Sequence, residues 1–183
     1  LGTAKSNGPT PEYDEAYDPK SAEHIKAGTY PKEEDMVREI EAVAAVLQKY
    51  NVQVYRPEII EDYNQIFTRD IAFVIEDKFI KANILPDRDE EIEAIDHVIS
   101  QIDPSKIINL PIDAHVEGGD VIPYREYILV GTYRGPDYKD HITARTNVQA
   151  VKALQDLFPH KKVVSFDLKK SNTEARDNAL HLD

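Results

Sequence analysis

The sequence of 183 residues contains no cysteine, no long apolar run and no excess of basic charge. The absence of cysteine excludes disulfides and thiolate metal sites, and a cytoplasmic location is the default expectation for such a chain. No apolar run approaches the roughly 20 residues that a membrane helix needs, and no signal-peptide pattern is present. A membrane partner is therefore not expected.

Acidic residues outnumber basic ones by 34 to 22, which gives a net charge of −12. Proteins that bind the phosphate backbone need a basic patch, so this balance argues against a nucleic-acid partner. No cofactor is expected, and a metal site is not predicted because the scattered histidines lack partners at ligand spacing. These histidines are His24, His97, His115, His141 and His160.

Hydrophobic residues (41%) and charged residues (31%) are balanced as in a globular protein that can bury a sizeable core. Residues 1–32 hold four prolines and no clear period, which predicts an irregular N-terminal segment. Apolar residues at steps of three and four predict a helix over Glu33 to Tyr50, followed by a short strand at Val52–Tyr55.

The remaining pattern is an internal repeat of hairpin, helix and strand, with a period of about 50 residues. Ile71–Leu110 is one copy, with its helix at Asp89–Ile102, and Val121–Leu168 is the next, with a helix capped by Thr143. A final strand at Ala179–Asp183 would begin another copy. Because one short hairpin cannot bury both faces, we expect the copies to pack around a common axis in an α/β fold. Asp70, Asp120 and Asp183 hold related places before or within the first strand of a copy, so they would converge near that axis.

The stretch from His115 to Tyr133 has the densest chemistry, since Glu117 and Asp120 flank the pair Gly118-Gly119 directly before a hairpin pattern. Glycines let the backbone turn sharply and approach another group closely, so both acids could be presented at the mouth of a strand. The simpler alternative is a glycine bend with two solvated acids.

Four motifs in order give the chain a resemblance to the guanidino-group-modifying enzymes, which include arginine deiminases, dimethylarginine dimethylaminohydrolases and arginine:glycine amidinotransferases. The motifs are Phe67-Thr68-Arg69-Asp70, Glu117-Gly118-Gly119-Asp120, Arg145-Thr146-Asn147 and His181-Leu182-Asp183. The resemblance covers residues 52–183 well and the remainder weakly. It implies a five-bladed α/β propeller (the pentein fold), so we interpret residues 1–183 as one partial α/β-propeller domain.

The resemblance also implies a role for each site residue. Asp70 and Asp183 would clamp the substrate guanidinium, since carboxylates bind that planar cation bidentately. His181 would be the general acid–base, and Glu117 would orient it and stabilise its charge. Asn64 and Arg145 resemble the residues that hold the substrate's amino-acid end. Gly118, Gly119 and Asp120 would be structural, with Asp120 as a cap of the bend.

Each role has a plainer alternative. His181 could be a core histidine, Asp70 a surface ion pair with Arg69, and Arg145 a helix cap or salt bridge. The acidic stretch Asp87–Asp96 is interpreted as the solvated face of a helix.

The family's nucleophilic cysteine lies in its final blade, and this sequence has none. We therefore expect the chain to be a fragment that lacks the C-terminal part, inactive by itself, from a catalytic parent protein. An incomplete propeller leaves strand edges open, so a homo-oligomer is also considered.

Three functions follow. The first is an amidinotransferase-like enzyme for arginine or a related compound, favoured because the Tyr- and Pro-rich N-terminal segment could cover the site. An amidine hydrolase of the same family is its close alternative. The others are a non-catalytic propeller used as a binding module and an acidic structural domain with its acids scattered and exposed.

Overall fold

The computed structural model describes all 183 residues and consists of short strands and helices around one apolar core. The helices are α1 (Pro19–Ala27), α2 (Glu33–Lys49), α3 (Thr68–Ile71), α4 (Glu90–Glu93), α5 (Asp96–Ile99) and α6 (Val148–Leu157). The strands are β1 (Ala72–Ile75), β2 (Lys78–Lys81), β3 (Ile107–Asn109), β4 (Val121–Tyr124), β5 (Tyr127–Thr132) and β6 (Lys162–Asp167). No helix has the length and apolar character needed to cross a membrane.

Two three-stranded sheets have the same topology, in the orders β1-β2-β3 and β4-β5-β6. In each sheet the first two strands form an antiparallel hairpin, and the third pairs parallel to the second after a helical crossover. The repeat of hairpin, helix and strand is therefore confirmed for two copies. How further copies would be arranged around an axis stays a prediction.

Apolar side chains from both copies form a single cluster of 15 buried residues. Ile71 and Ile80 of the first copy pack in this cluster together with Ile128 and Leu154 of the second, all fully buried. Ile80 and Ile128 lie on strands, where every second side chain faces the same side, and Ile71 and Leu154 reach the cluster from α3 and α6. The cluster fixes the two hairpins relative to each other.

The prediction that residues 1–32 hold no regular element is wrong at α1. Asp18 caps this helix, since its Oδ1 accepts hydrogen bonds from the amides of Lys20 (2.8 Å) and Ser21 (3.0 Å). Pro19 occupies the first turn and Gly28 ends the helix at φ +66°. Asp-Pro at the start of a helix and Gly after its end are ordinary helix signals. They were overlooked because the segment contains three other prolines.

Four other features of the secondary structure differ from the prediction. Val52–Tyr55 forms no strand pairing, and the predicted helix at Asp89–Ile102 is two short helices, α4 and α5, interrupted at Ala94 and Ile95. Asn147, not Thr143, caps α6 through its bond from the amide of Ala150 (3.0 Å). Ala179–Asp183 is no strand, because its amides bond Lys169, Asp120 and Gly119 instead of a neighbouring strand.

Candidate functional site

Three of the predicted site residues meet in one cluster. A carboxylate oxygen of Asp70, a carboxylate oxygen of Glu117 and a ring nitrogen of His181 all lie within 4.8 Å of one another. Asp70 lies in α3 directly before the first hairpin, and Glu117 lies directly before the turn that leads into the second. The two hairpins pack on one core, so the acids that precede them converge. His181 approaches from the last segment of the chain.

Glu117 is the centre of the cluster and is completely buried. Its two oxygens accept hydrogen bonds from Nη1 of Arg145 (3.1 and 3.0 Å), and Oε2 also accepts one from Nη1 of Arg88 (3.3 Å). Burial alone would raise the pKa of Glu117, but contact with His181 and the charges of both arginines outweigh it and lower the pKa to about 2. Glu117 is therefore a fixed negative charge at neutral pH.

His181 lies between three carboxylates. Its Nε2 is 3.3 Å from Oε2 of Glu117 and 3.8 Å from Oδ1 of Asp70, and its Nδ1 is 3.4 Å from Oδ2 of Asp120. None of these contacts has both the distance and the alignment of a full hydrogen bond, and Nδ1 is buried without one. Burial lowers the pKa of His181, but the contacts with Asp120 and Glu117 and the charge of Asp70 outweigh it and raise the pKa to about 9. The imidazole is thus a cation at neutral pH.

Asp70 differs from Glu117, because its pKa is raised and not lowered. Its Oδ1 accepts a hydrogen bond from the amide of Gly119 (3.3 Å), and its Oδ2 accepts one from Nη1 of Arg88 (3.1 Å). Burial raises its pKa, the His181 charge opposes this, and the neighbouring Glu117 charge adds to it. Asp70 is therefore not the solvated surface partner of Arg69.

The glycine pair permits this close packing. A Cβ on Gly119 would lie 2.9 Å from Cγ of His181 and 3.0 Å from Oδ1 of Asp70, and a Cβ on Gly118 would collide with the carbonyl oxygen of Arg69. The bend with solvated acids is thereby excluded, since both Glu117 and Asp120 are buried.

Asp120 does more than cap the bend. Its Oδ2 accepts a hydrogen bond from Thr146 Oγ1 (2.7 Å), and its Oδ1 accepts one from the amide of Leu182 (3.1 Å). It therefore holds the segment that carries His181 and faces the imidazole at the same time. The mainly structural role of Asp120 stays a prediction, and its contacts extend beyond the Gly118-Gly119 bend to Thr146 and Leu182.

Asp183 lies at the margin of the cluster. Its Oδ2 is 2.5 Å from Nε of Arg69, and the carboxylate side chain is 40% exposed. Its amide donates to the carbonyl of Gly119 (3.3 Å). The structure thus brings Asp183 beside the site but pairs it with Arg69.

The two residues predicted to hold an amino-acid end differ in position. Arg145 is buried and bonds Glu117, the carbonyl of Ile142 (2.9 Å) and the carbonyl of Tyr17 (3.1 Å). Asn64 has only a local contact, because its Oδ1 accepts from the amide of Ile66 (3.1 Å). The structure brings Arg145 into the cluster and leaves Asn64 outside it.

Arg88 and Glu91 are site residues that the sequence interpretation missed. Both are buried, and Arg88 donates through Nε to Glu91 Oε1 (2.7 Å) and through Nη2 to Glu91 Oε2 (3.2 Å). The solvated face predicted for Asp87–Asp96 is wrong at these two positions. The available signal was a single arginine in a long acidic run, three residues before Glu91.

Lys170 is a further charged group at the site. Its Nζ donates to the carbonyl of Leu180 (2.6 Å), the residue before His181. Burial lowers the pKa of Lys170 to about 8, although the charge of Asp120 opposes this. Two cavities of about 400 and 420 Å³ lie elsewhere, beside α2 and α4, and are not lined by the cluster.

Comparison with known sequences gives one informative relative. The chain is 30% identical over 141 residues to the uncharacterised protein YkgA of Bacillus subtilis. The matched region is 75% of this chain and 42% of that protein. No protein-family model matches the chain.

Several solved structures have a fold similar to that of the chain. A cysteine-to-serine mutant of the DDAH of Pseudomonas aeruginosa, in complex with citrulline, has a TM-score of 0.61 at 18% identity, over 79% of this chain and 54% of that one. The N-terminal domain of ArgZ, a cyanobacterial arginine dihydrolase, solved as a cysteine-to-serine mutant bound to substrate, has a TM-score of 0.66 at 14% identity, over 92% and 56%.

A third structure belongs to a transferase. SxtG, an amidinotransferase from Microseira wollei in the saxitoxin biosynthetic pathway, has a TM-score of 0.58 at 16% identity, over 76% of this chain and 51% of that one. At these identities the likeness is one of fold. The chain spans about half the length of the proteins it matches.

Proposed function

Since the chain has part of the fold of the guanidino-group-modifying enzymes, we propose that it belongs to an amidinotransferase-like enzyme. The substrate is the guanidino group of arginine or a related compound, and the reaction passes through a covalent amidino-cysteine. Because the chain has no cysteine, that nucleophile comes from outside residues 1–183. The observation that carries the proposal is the cluster of Asp70, Glu117 and His181, in which both acids are buried.

The substrate's chemistry fits these acids. A guanidinium is a planar cation with several N–H donors, and carboxylates bind it through paired hydrogen bonds. Asp70 is the inner clamp of the proposal, with one oxygen toward the amide of Gly119. Asp183 is the outer clamp, which must exchange its partner Arg69 for the substrate.

His181 supplies the proton transfers. A thiolate adds to the guanidinium carbon, the carbon–nitrogen bond to the leaving amine breaks, and the imidazolium gives that amine its proton. An incoming amine or water then attacks the amidino carbon, the carbon–sulfur bond breaks, and His181 takes the proton of the attacking group. A pKa of about 9 keeps His181 charged for the first step, and Glu117 and Asp120 stabilise that charge.

We prefer transfer to hydrolysis in this proposal because the N-terminal segment contacts the site. The carbonyl of Tyr17, in the N-terminal segment, accepts a hydrogen bond from Nη2 of Arg145 (3.1 Å). In the proposal this segment covers the cluster and so limits the access of water to an amidino intermediate. Amidine hydrolysis is the alternative if that cover opens.

A binding module is the second candidate, and the specific observation in its favour is that these residues include no cysteine. In that case the acidic cluster would bind a guanidino ligand without turnover. Arg145 and Asn64 would hold the ligand's amino-acid end in either function.

The proposal is tested by binding and by turnover. We expect L-arginine to bind the chain and to shift the His181 ring signals in NMR titrations, and Asp70→Asn to weaken binding by about tenfold or more, since a charged hydrogen bond contributes about 1.5–3 kcal/mol. Asp14→Asn, at an exposed position, is the matched control and should bind as the wild type does.

Turnover is measured on the chain and on a longer protein that includes a cysteine-bearing remainder. The chain alone should release no ornithine from arginine, and the longer protein should do so only with its cysteine intact. Equal arginine affinity in Asp70→Asn and the wild type would refute the proposed clamp.

A further inference from the structure

The buried acids of the site already hold a guanidinium, which belongs to Arg88. Its Nη1 donates to Asp70 Oδ2 (3.1 Å) and Glu117 Oε2 (3.3 Å), and its Nε and Nη2 donate to the two oxygens of Glu91 (2.7 and 3.2 Å). Three carboxylates from three separate segments thus enclose one planar cation. Asp70 cannot receive a second guanidinium at the same oxygen while this arrangement persists.

The contacts of Arg88 divide into two edges with different partners. The edge formed by Nε and Nη2 pairs with Glu91 alone, three residues away in the same short helical stretch. The remaining nitrogen, Nη1, is the atom that faces Asp70 and Glu117. The contacts with Glu91 and the contacts with Asp70 and Glu117 therefore use different nitrogens of one guanidinium.

We propose that Nη1 of Arg88 is an internal occupant of the guanidinium-binding position, and that an external guanidino group binds by displacing Nη1 while Arg88 stays bound to Glu91. The inference rests on the proposed function, because the entering ligand is the guanidino group of the substrate. Glu91 then has a defined role, which is to hold the displaced cation.

The charge balance explains why such an occupant is needed. Two buried carboxylates without a cation repel each other and lose hydration, and an unpaired buried charge is strongly destabilising. Burial raises the pKa values of Asp70 and Glu91 even with Arg88 present, although the Arg88 contacts oppose this. Exchange of one guanidinium for another preserves the pairing at every stage, so the empty site never holds bare acids.

The test compares the affinity for the guanidinium ion itself in the wild type and in Arg88→Gln. Removal of the internal competitor should make guanidinium bind at least about tenfold more tightly. The ion should also raise the melting temperature of the variant at millimolar concentrations, where urea, which is planar but neutral, does not. Arg38→Gln, an exposed arginine paired only with Asp35, is the matched control.

A second variant and a wild-type measurement keep the test decisive if Arg88→Gln does not fold. Glu91→Gln removes the partner that holds the displaced side chain, so it should weaken guanidinium binding. In the wild type, addition of guanidinium should shift the Arg88 side-chain signals while the Nε–H of Arg88 remains protected.

The outcomes separate this inference from the proposed function. Unchanged or weaker guanidinium binding in Arg88→Gln, together with Asp70-dependent binding of arginine, would overturn the exchange and leave the proposed function intact. Loss of all guanidinium and arginine binding in the wild type and both variants would overturn both. Tighter binding in Arg88→Gln supports the exchange whether or not the parent protein turns arginine over.

Discussion

At the scale of single residues, the site depends on Gly119, which has no side chain. Gly119 lies against the ring of His181 and the carboxylate of Asp70, so even a methyl group has no space there. The backbone amide of Gly119 also donates to Asp70, and its carbonyl accepts from Asp183. One glycine thus connects three of the predicted site residues.

Gly119→Ala should therefore displace the His181 ring and lower its pKa toward the ordinary value, because the ring loses contact with its carboxylates. Overpacking of this kind costs about 1–3 kcal/mol. The pKa is measured by NMR titration of the histidine ring, and the stability is measured by urea denaturation.

Gly28→Ala is the matched control. Gly28 has a positive φ and no atom near its missing Cβ, so alanine is strained there but contacts nothing. That variant should lose stability without any change in the His181 pKa. A His181 pKa equal to the wild-type value in Gly119→Ala would contradict the packing argument.

The residue scale also shows which parts of the site the sequence could predict. Asp70, Glu117 and His181 were found because they lie in short motifs that resemble those of the guanidino-group-modifying enzymes. Arg88 and Glu91 were missed because their burial depends on partners 18 and 29 residues from Arg88, which no local pattern records. A charged run reads as solvated unless the partners of its members are known.

At the scale of elements, the hairpins were predictable and the helices less so. Strand alternation with short turns is a strong signal, and both hairpins form as the sequence indicates. The spacing of apolar residues also predicted α2 correctly. Ala44 is nevertheless the only buried residue of this helix. Periodicity predicts a helix and says little about what covers it.

Helix α1 offers a direct test at this scale, because Asp18 provides its capping hydrogen bonds. Asp18→Ala should destabilise the helix by about 0.5–2 kcal/mol. The expected result is faster hydrogen exchange at Ala22 and Ser21, with the core amides of β5 unchanged.

Asp18→Asn should retain most of the protection, because asparagine is an equally good cap. Faster exchange in β5 as well would show that α1 does not open independently. Since Tyr17 precedes the cap and its carbonyl accepts a hydrogen bond from Arg145, weaker capping should also loosen that contact.

At the scale of the whole molecule, the site makes stability depend on pH. The pKa of His181 is raised to about 9 from its ordinary 6.5. The folded state then binds a proton that the unfolded state has lost, so its stabilising contribution is complete below about 6.5 and falls as the pH rises through 9. Glu117 acts at the other end, with a pKa lowered from 4.5 to about 2, so its contribution is lost as the pH falls through that range.

We therefore expect the free energy of unfolding to decrease between pH 6.5 and 8. Above pH 8 the lowered pKa of Lys170 opposes this decrease, because the folded state then loses a proton that the unfolded state keeps until about 10.5. Urea denaturation at a series of pH values measures the effect.

His181→Gln should remove the decrease between pH 6.5 and 8. His97→Gln, at an exposed position, should leave it unchanged. A flat profile in the wild type would mean that the imidazole is not held as a cation.

The shared topology of the two sheets has a consequence for the order of folding. Each hairpin joins neighbouring strands and can form within roughly 1–10 μs, whereas the parallel third strand must first close a long crossover loop, which makes it slower. Asp70 and Glu117 directly precede the two hairpins, but Arg88 and Arg145 lie in the crossovers that follow them. We therefore expect each acid to be fixed beside its own hairpin before the crossover that carries its arginine docks, so that the pairing of Asp70 with Arg88 and of Glu117 with Arg145 belongs to the last step of folding.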